Sequence, residues 1–347
     1  MRNGLLQSLK GGRKDMRNKI IELAKKFDAD VVGFAPASRF NSDDAIFKIM
    51  PETKTVIGLG FRVLRGIYRG VEEGTTYYQY TTMGVENLEE TVMPLALLNV
   101  SNYIEDEGFD AIPQRKNPLI LNTVDDTNPE VDYTDVYHGV IAENQIDFLN
   151  CAVQCGLGEK SMIGSLLNKD FGPFIRYCFI LTDAEIEETK LSEENICDKC
   201  GECIKACPGQ AINSDGIVDS WRCAVYYNGA NGSKNPFMPP DAFPDFENRM
   251  DIINGVAEFN ADEAKEILDN IYFYPPAKHF YRTSICGRAC DRACYIHLEE
   301  KGVLGKSFNK KFRTGEDWKL STTQFESGVR DKDWTFSNKT ESKVSEN

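Results

Sequence analysis

The sequence contains little histidine and no long hydrophobic run. Only three of its 347 residues are histidine, namely His138, His279 and His297, so we do not expect a metal site built on several imidazoles. No apolar run approaches the roughly 18–20 residues that a membrane-spanning helix needs. The first ten residues, MRNGLLQSLK, contain neither an apolar signal core nor a twin arginine. We therefore expect a cytoplasmic protein whose thiols stay reduced.

Positive charge is also in short supply. The chain has 40 Lys and Arg against 54 Asp and Glu, which gives a formal net charge of -14. Because phosphate binding requires a basic surface, this balance argues against a nucleic-acid partner. It is compatible with docking to a basic redox partner, although an acidic surface commonly serves solubility alone. The 41% hydrophobic and 27% charged content is typical of a soluble globular chain with two or three domains.

Cysteine, by contrast, is abundant and regularly spaced. Residues 197–208 read CDKCGECIKACP, in which three cysteines are each separated by two residues and a fourth follows three residues later, before proline. This is the bacterial-ferredoxin pattern for a [4Fe–4S] cluster, in which the fourth cysteine ligates a different cluster. The pattern predicts a second group of cysteines, and residues 286–294 (CGRACDRAC) supply three, with Cys223 alone between the two groups.

Together these motifs contain eight cysteines, the number that two four-iron clusters need. By the ferredoxin crossover rule, the two predicted ligand sets are Cys197, Cys200, Cys203 and Cys294 for the first cluster, and Cys207, Cys223, Cys286 and Cys290 for the second. Structural zinc is the alternative, but zinc sites usually combine two separated pairs rather than a triple followed by Cys-Pro. The three cysteines outside the motifs, Cys151, Cys155 and Cys178, are expected to be small buried hydrophobic residues.

The region before the cysteines predicts alternating helices and strands, hence an α+β fold. We expect helices over 15–28, 88–109 and 139–155, and strands over 28–37, 54–61, 109–113 and 174–182, with a hairpin before the last strand. The glycine-spaced, aromatic stretch 62–80 predicts a loop, either a functional lid or a plain solvated excursion. Two fully ligated clusters need an electron acceptor elsewhere in the protein, and this region is the expected place for it.

One block carries a resemblance to a known family. Residues 155–183, CGLGEKSMIGSLLNKDFGPFIRYCFILTD, followed by the first cysteine motif, resemble the core of the reductive dehalogenases and of the related epoxyqueuosine reductases. Glu159 and Arg176 resemble the dehalogenase version of this block. The last cysteine group has spacing Cys-x3-Cys-x3-Cys, where the family more often has Cys-x2-Cys-x3-Cys-Pro. Residues 124–129, VDDTNP, depart from the catalytic-aspartate signature of the queuosine enzymes.

The resemblance implies an α/β sandwich with a nitroreductase-like, corrinoid-binding core (1–190). A ferredoxin-like domain with two [4Fe–4S] clusters (191–302, insertion 224–285) and a C-terminal tail (303–347) would follow. It also implies a cobalamin bound base-off, with FMN on the same core as the alternative. Glycine allows backbone to approach a ligand closely, and the predicted cofactor-binding residues are Gly156, Leu157, Gly158, Glu159 and Gly172.

The resemblance further implies a tyrosine proton donor with a basic side chain nearby. Tyr133 and Tyr137, in the polar stretch VDYTDVYHG, are the candidate donors, although such tyrosines are more often edge-packing residues. Arg176 lies on an apolar strand and needs a partner there. That partner would be either a ligand or a tyrosine, which indicates function, or a buried carboxylate, which does not. His138 is expected to be a turn or supporting residue, because the spacing of DVYHG is wrong for a histidine-on cobalt site.

The implied activity is a corrinoid-dependent reduction of a small organic, possibly halogenated, substrate, with electrons entering from a ferredoxin or a flavodoxin. Three alternatives stay open. They are an epoxyqueuosine-reductase-like reduction of a modified tRNA base, a pure electron-transfer protein without its own substrate, and a flavin enzyme on the same core. A homodimer is compatible with the sequence.

Overall fold

The computed structural model describes residues 15–115, 145–191, 195–271 and 283–332. Its centre is a four-stranded sheet made of β1 (Val31–Pro36), β2 (Thr55–Arg62), β3 (Ala111–Gln114) and β6 (Ile175–Thr182), in the order β1-β2-β6-β3. Every neighbouring pair of strands is antiparallel. An antiparallel sheet covered by helices is the α+β arrangement that the sequence predicts.

Both faces of the sheet are buried, and the alternation of side chains explains why. Ile57, Leu59 and Ile180 belong to one apolar cluster with helix α1 (15–26) and helix α5 (Met93–Asp106). Phe179 and Leu181 belong to a second cluster, with helices α2 (Ala45–Ile49) and α6 (Phe148–Gln154). Because successive strand residues point to opposite faces, two adjacent hydrophobic residues serve two different cores. The result is a helix–sheet–helix sandwich.

Glycines in β1 and β2 let the chain after α6 lie against the sheet. A Cβ atom on Gly33 would lie 1.9 Å from the carbonyl oxygen of Cys155, and one on Gly58 would lie 2.9 Å from the Cβ of Cys155. Neither position tolerates a side chain without movement. The block that begins at Cys155 is thereby fixed to the sheet, and it continues into a short hairpin of β4 (Glu159–Lys160) and β5 (Leu166–Leu167), as predicted.

The predicted loop over 62–80 is wrong, because most of that stretch is helical. Helix α3 (Arg65–Glu72) and helix α4 (Tyr78–Thr81) occupy it, and two π-helical turns, Thr82–Glu86 and Leu88–Val92, continue directly into α5. Glycine suggested a loop, but Gly70 is needed for packing, since a Cβ there would lie 2.2 Å from the hydroxyl of Thr76. The predicted helix 88–109 is therefore part of a longer helical run. Of the predicted helix 139–155, the structure describes residues 145–155, and there α6 begins only at Phe148.

The second half of the chain is mostly helical. It comprises α7 (Glu202–Lys205), α8 (Ser220–Tyr227), α9 (Arg249–Asn254), α10 (Ala261–Asp269), α11 (Ala289–Glu300) and a 3₁₀ turn at Thr323–Phe325. Helices α8, α9 and α10 share an apolar cluster with the fully buried Phe325. Residues from the predicted insertion and from the predicted tail therefore pack together. Among the described helices, none is both long and apolar enough to cross a bilayer.

A buried ion-pair cluster joins the two halves. The carboxylate of Glu72, on α3, accepts from Nε of Arg292 on α11 at 2.7 Å and also contacts Nε of Arg313. The Glu72 side chain is only 2% exposed. Arg292 additionally donates to the carbonyl oxygens of Cys286 and Gly287 at 2.6 and 2.7 Å. One carboxylate thus fixes the arginine that holds the second cysteine group.

We expect Glu72→Gln to destabilise the protein strongly. Removing one partner of a buried pair leaves uncompensated charge, at a cost of about 3–5 kcal/mol. The neighbouring Glu73→Gln is the matched control, because Glu73 pairs with Arg69 at the surface and such a pair contributes about 0–1 kcal/mol. Thermal unfolding of the anaerobically prepared protein measures both. Equal melting temperatures for the two variants would contradict the assigned role of Glu72.

Candidate redox site

The first predicted ligand set lies around one cavity. Cys197, Cys200, Cys203 and Cys294 all line it. The motif turns sharply at Gly201, whose φ of +79° favours glycine, and α7 begins immediately afterwards. Cys200 is exposed and Cys203 is buried, so this group lies at the protein surface.

Contacts from two directions fix the loop that carries these cysteines. The Glu159 carboxylate accepts from the backbone N–H of Ile196 at 3.1 Å. On the other side, Asp198 pairs with Nε2 of His297 at 2.9 Å and contacts Lys301. Glu159, a predicted cofactor-binding residue, therefore holds the start of the cysteine motif.

The second predicted ligand set lines another cavity. Its thiols are those of Cys207, Cys223, Cys286 and Cys290, and Ile212, Val218 and Tyr226 surround them. Backbone N–H groups of Ala211 and Ala289 donate to the sulfurs of Cys207 and Cys286, at 3.3 and 3.4 Å respectively.

The donor chemistry of this second cavity fits a metal cluster. Burial raises the pKa of Cys223 to about 12 and raises that of Cys290 well above its usual value. Thiolates are stable in such surroundings only with a cation, and coordination to a metal deprotonates a thiol outright. Four thiols around an apolar space therefore match an iron–sulfur cluster better than any site for a small organic ligand. All eleven cysteines lie within the described ranges, and none forms a disulfide.

A third, polar cavity of about 210 Å³ lies beside the second cysteine group. Its lining comprises Tyr68, Gly164, Ser165, Pro173, Ile175, Arg176, Tyr177, Arg288 and Asp291. Arg288 lines this cavity and also the cavity of the second cysteine group. The Arg288 side chain therefore lies between the second cysteine group and the polar cavity, whose lining includes two arginines.

Arg176 has both kinds of partner that the sequence left open. Its Nε lies 3.4 Å from the Oε1 of the buried Glu89, and its terminal nitrogen donates to the hydroxyl of Tyr80 at 2.8 Å. Burial raises the pKa of Tyr80, and the charge of Arg176 opposes that shift. The guanidinium is consequently held in one orientation at the edge of the cavity.

Tyr68 is a site residue that the sequence did not indicate. It lines the polar cavity and stacks on Phe174, with ring centroids 4.0 Å apart, and the other face of Phe174 stacks on Tyr295 at 4.3 Å. Burial raises the pKa of the Tyr68 hydroxyl well above its usual value, against the opposing effect of Arg176. The hydroxyl is therefore protonated at neutral pH and available as a donor. The sequence feature that could have indicated Tyr68 is its three-residue spacing from Val71. This spacing places both side chains on one face of a helix, in a stretch that was predicted to be a loop.

The other predicted cofactor-binding residues have structural contacts. Gly156 (φ +73°) ends the turn after α6, and Leu157 is fully buried. A Cβ on Gly158 would lie 2.3 Å from the carbonyl oxygen of Leu167. Gly172 (φ +56°) lies against side chains of α11 and the segment after it. None of these residues lines the polar cavity, and their cofactor-binding role stays a prediction. Tyr133, Tyr137 and His138 lie outside the described residues.

The polar cavity has the size of a substrate rather than of a large cofactor. Cavities that enclose drug-sized ligands and cofactors span about 300–1,000 Å³, and this one is smaller. Two arginines, an aspartate, a serine and two tyrosines line this small space, and such a polar lining suits a compact guest that forms hydrogen bonds.

Comparisons with known proteins give relatives in two enzyme families. No family model matches the chain. An epoxyqueuosine reductase of Cyclobacterium marinum is 29% identical over 27% of this chain and 38% of its own length. A tetrachloroethene reductive dehalogenase of Dehalobacter restrictus is 39% identical over 18% of this chain and 12% of its own. The matched part thus spans well under half of these relatives. Both relatives support the superfamily that residues 155–183 predicted, and both are named as reductases.

Solved structures of the same two families also match this chain, at low TM-scores. An epoxyqueuosine reductase of Bacillus subtilis has a TM-score of 0.42 at 12% identity, covering 83% of both chains. A catabolic reductive dehalogenase has a TM-score of 0.43 at 15% identity, covering 90% of this chain and 39% of its own.

Proposed function

We propose that this relative of the reductive dehalogenases and epoxyqueuosine reductases is an iron–sulfur oxidoreductase in which two [4Fe–4S] clusters pass electrons inward to a base-off cobalamin, for reduction of a small organic, possibly halogenated, substrate. The observation that carries the proposal is the position of Arg288, which borders both the second cysteine cavity and the polar cavity. A corrinoid supplies low-potential cobalt when bound. Because the polar cavity has the volume of a small organic molecule, we assign it to the substrate.

The arrangement of the two cysteine groups supports an inward route. Cys200 of the first group is exposed, whereas the second group is lined by apolar side chains. Cys290 and Cys294 are four residues apart on α11, so their side chains are neighbours on one helix face. Electrons from a ferredoxin or flavodoxin would enter at the first cluster, and the second cluster would deliver them beside Arg288.

The hydrogen-bond donors of the polar cavity support a substrate group that accepts hydrogen bonds. Arg288 donates to the carboxylate of Asp291 at 2.7 Å and to the hydroxyl of Ser165 at 3.1 Å, and Ser165 donates to Asp291 at 2.9 Å. These contacts fix Arg288 before a ligand arrives, which lowers the cost of binding. Arg176 and Arg288 would hold the carboxylate or phenolate of the substrate, and Tyr68 would supply a proton to the reduced carbon.

Reduction of a modified tRNA base is the second candidate. Epoxyqueuosine reductases are among the curated relatives, as are reductive dehalogenases. The net charge of -14 argues against a polyanionic substrate. A tRNA substrate would therefore have to bind a locally basic surface of this chain.

Cofactor content tests the proposal directly. Protein purified and reconstituted without oxygen is expected to contain about eight irons and eight sulfides and one cobalt per chain. Flavin in place of cobalt would assign the acceptor to FMN, and clusters without either cofactor would leave an electron-transfer protein. Zinc in place of iron would contradict the proposal altogether. Elemental analysis and an anaerobic absorption spectrum give these results.

A further inference from the structure

A strongly basic segment follows the helix that carries Cys294. Residues 301–313, KGVLGKSFNKKFR, contain five Lys or Arg and no carboxylate, in a chain whose net charge is -14. Its four lysines are exposed. We call the surface formed by Arg62, Lys169, Lys301, Lys306, Lys310 and Lys311 the basic edge.

Backbone and side-chain contacts hold the basic edge next to the first cysteine group. Lys301 contacts Asp198, which lies between Cys197 and Cys200. The N–H of Gly305 donates to the carbonyl oxygen of Lys169 at 2.9 Å. Arg65 donates to the carbonyl oxygen of Lys310 at 2.7 Å. The exposed cluster site and the basic edge are therefore parts of one rigid surface.

This surface contains a cavity of about 170 Å³. Its lining includes Arg62, Arg65, Asp170, Phe171, Tyr295, Lys306 and Phe308. Arg62 pairs with Asp30 at 3.3 Å, and a terminal nitrogen of Arg65 pairs with Glu299 at 2.9 Å, although Nε of Arg65 has no hydrogen-bond partner in the described part of the chain. Lys306 lies over the ring of Phe171, at 5.9 Å, and has no carboxylate within ion-pair distance among the described residues. The positive charge left for a partner is therefore that of the exposed lysines of the basic edge.

We propose that the basic edge is the docking surface for a small acidic electron-transfer protein, whose carboxylates would pair with the exposed lysines. The inference rests on the proposed function and specifies its electron donor. In the step, the reduced partner loses one electron, the first cluster gains one, and no bond or proton changes place. Since the whole chain repels an acidic partner, a local basic surface also orients the encounter so that the exposed cluster faces the donor.

Two charge-reversal variants test this inference. Lys306→Glu with Lys310→Glu alters the basic edge, and Lys25→Glu with Lys48→Glu, on α1 and α2, changes the net charge equally outside it. The probe is a reduced, acidic [2Fe–2S] ferredoxin of the plant type, whose oxidation by the reconstituted protein is followed by stopped-flow absorbance. At low ionic strength we expect the first variant to slow the reaction about tenfold or more, and the second to stay near wild type. High salt should bring the two variants together.

Several results would overturn the docking surface while leaving the proposed function intact. Dithionite, a small reductant, must reduce the clusters of both variants as in wild type, and their iron content must be unchanged. An unaltered ferredoxin rate in Lys306→Glu/Lys310→Glu, or equal slowing in both variants, rejects the surface. So does loss of binding to an RNA hairpin in the first variant with an unchanged ferredoxin rate, which would assign the basic edge to nucleic acid. A wild type without clusters overturns both proposals.

Discussion

Cys223→Ser is expected to abolish turnover and to remove about four irons per chain. Cys223 lies in the first turn of α8, whose N-cap residue Asp219 accepts a hydrogen bond from the N–H of Arg222 at 3.0 Å. Its thiol lines the second cavity together with three other cysteines. Among the described residues, the other cysteines that line this cavity are the three remaining predicted ligands, so none can replace Cys223. Without the inner cluster, electrons at the first cluster have no route to the polar cavity. Iron and sulfide analysis, with electron paramagnetic resonance of the dithionite-reduced protein, measures the loss.

The matched control is Cys151→Ala. Cys151 is also a free cysteine, but it is buried in the apolar core on α6 and lines neither cysteine cavity. This variant should keep all of its iron and its turnover. If Cys223→Ser kept about eight irons, or if Cys151→Ala lost four, the assignment of the thiols to two clusters would be wrong.

Tyr68→Phe is expected to lower turnover by about 10²–10⁴-fold with full iron content, the usual contribution of a general acid. The substitution removes only the hydroxyl and keeps the stacking on Phe174. Because burial raises the pKa of Tyr68, the phenol stays protonated across the physiological range. Deprotonation of Tyr68 should therefore not lower the wild-type turnover rate until the pH is strongly alkaline. Turnover and its solvent isotope effect are the measurements.

Tyr295→Phe separates a proton donor from a packing residue. Tyr295 stacks on the opposite face of the same Phe174 ring but does not line the polar cavity. Its variant should retain turnover within a few-fold. The sequence pointed instead to Tyr137, and Tyr137→Phe belongs in the same series. A large loss in Tyr137→Phe with normal turnover in Tyr68→Phe would move the donor role back to the original candidate.

Local patterns in the sequence were sufficient for the strands and for the grouping of thiols as candidates. The runs VVGFAP, TVIGLGFR and IRYCFILT became β1, β2 and β6 within a few residues of the predicted bounds. A buried strand is a short apolar run between turn signals, which a single sequence displays. Cysteine spacing is likewise local within each motif. The eight motif cysteines line two cavities in the same sets of four that the crossover rule assigned, while the clusters themselves stay a prediction.

The polar cavity could not be predicted because its residues come from distant parts of the chain. Tyr68, Arg176 and Arg288 are each about a hundred residues apart in sequence, and only packing brings them together. The stretch 62–80 was also misread, since its glycines suggested a loop where they serve close contacts between helices. Glu159, in a glycine-rich block, was predicted to bind a cofactor. Its carboxylate accepts from the backbone N–H of Ile196, just before Cys197, and its cofactor-binding role stays a prediction.

The position of Cys290 and Cys294 on one helix has a consequence for damage by air. Each thiol belongs to a different proposed cluster, yet both are carried by helix α11. Oxidative loss of the first cluster would free α11 at Cys294, and the second cluster, which α11 ligates through Cys290, would then be held less firmly. Exposure to oxygen should then bleach the two centres in sequence, from the surface inward, and protecting the outer one should preserve both.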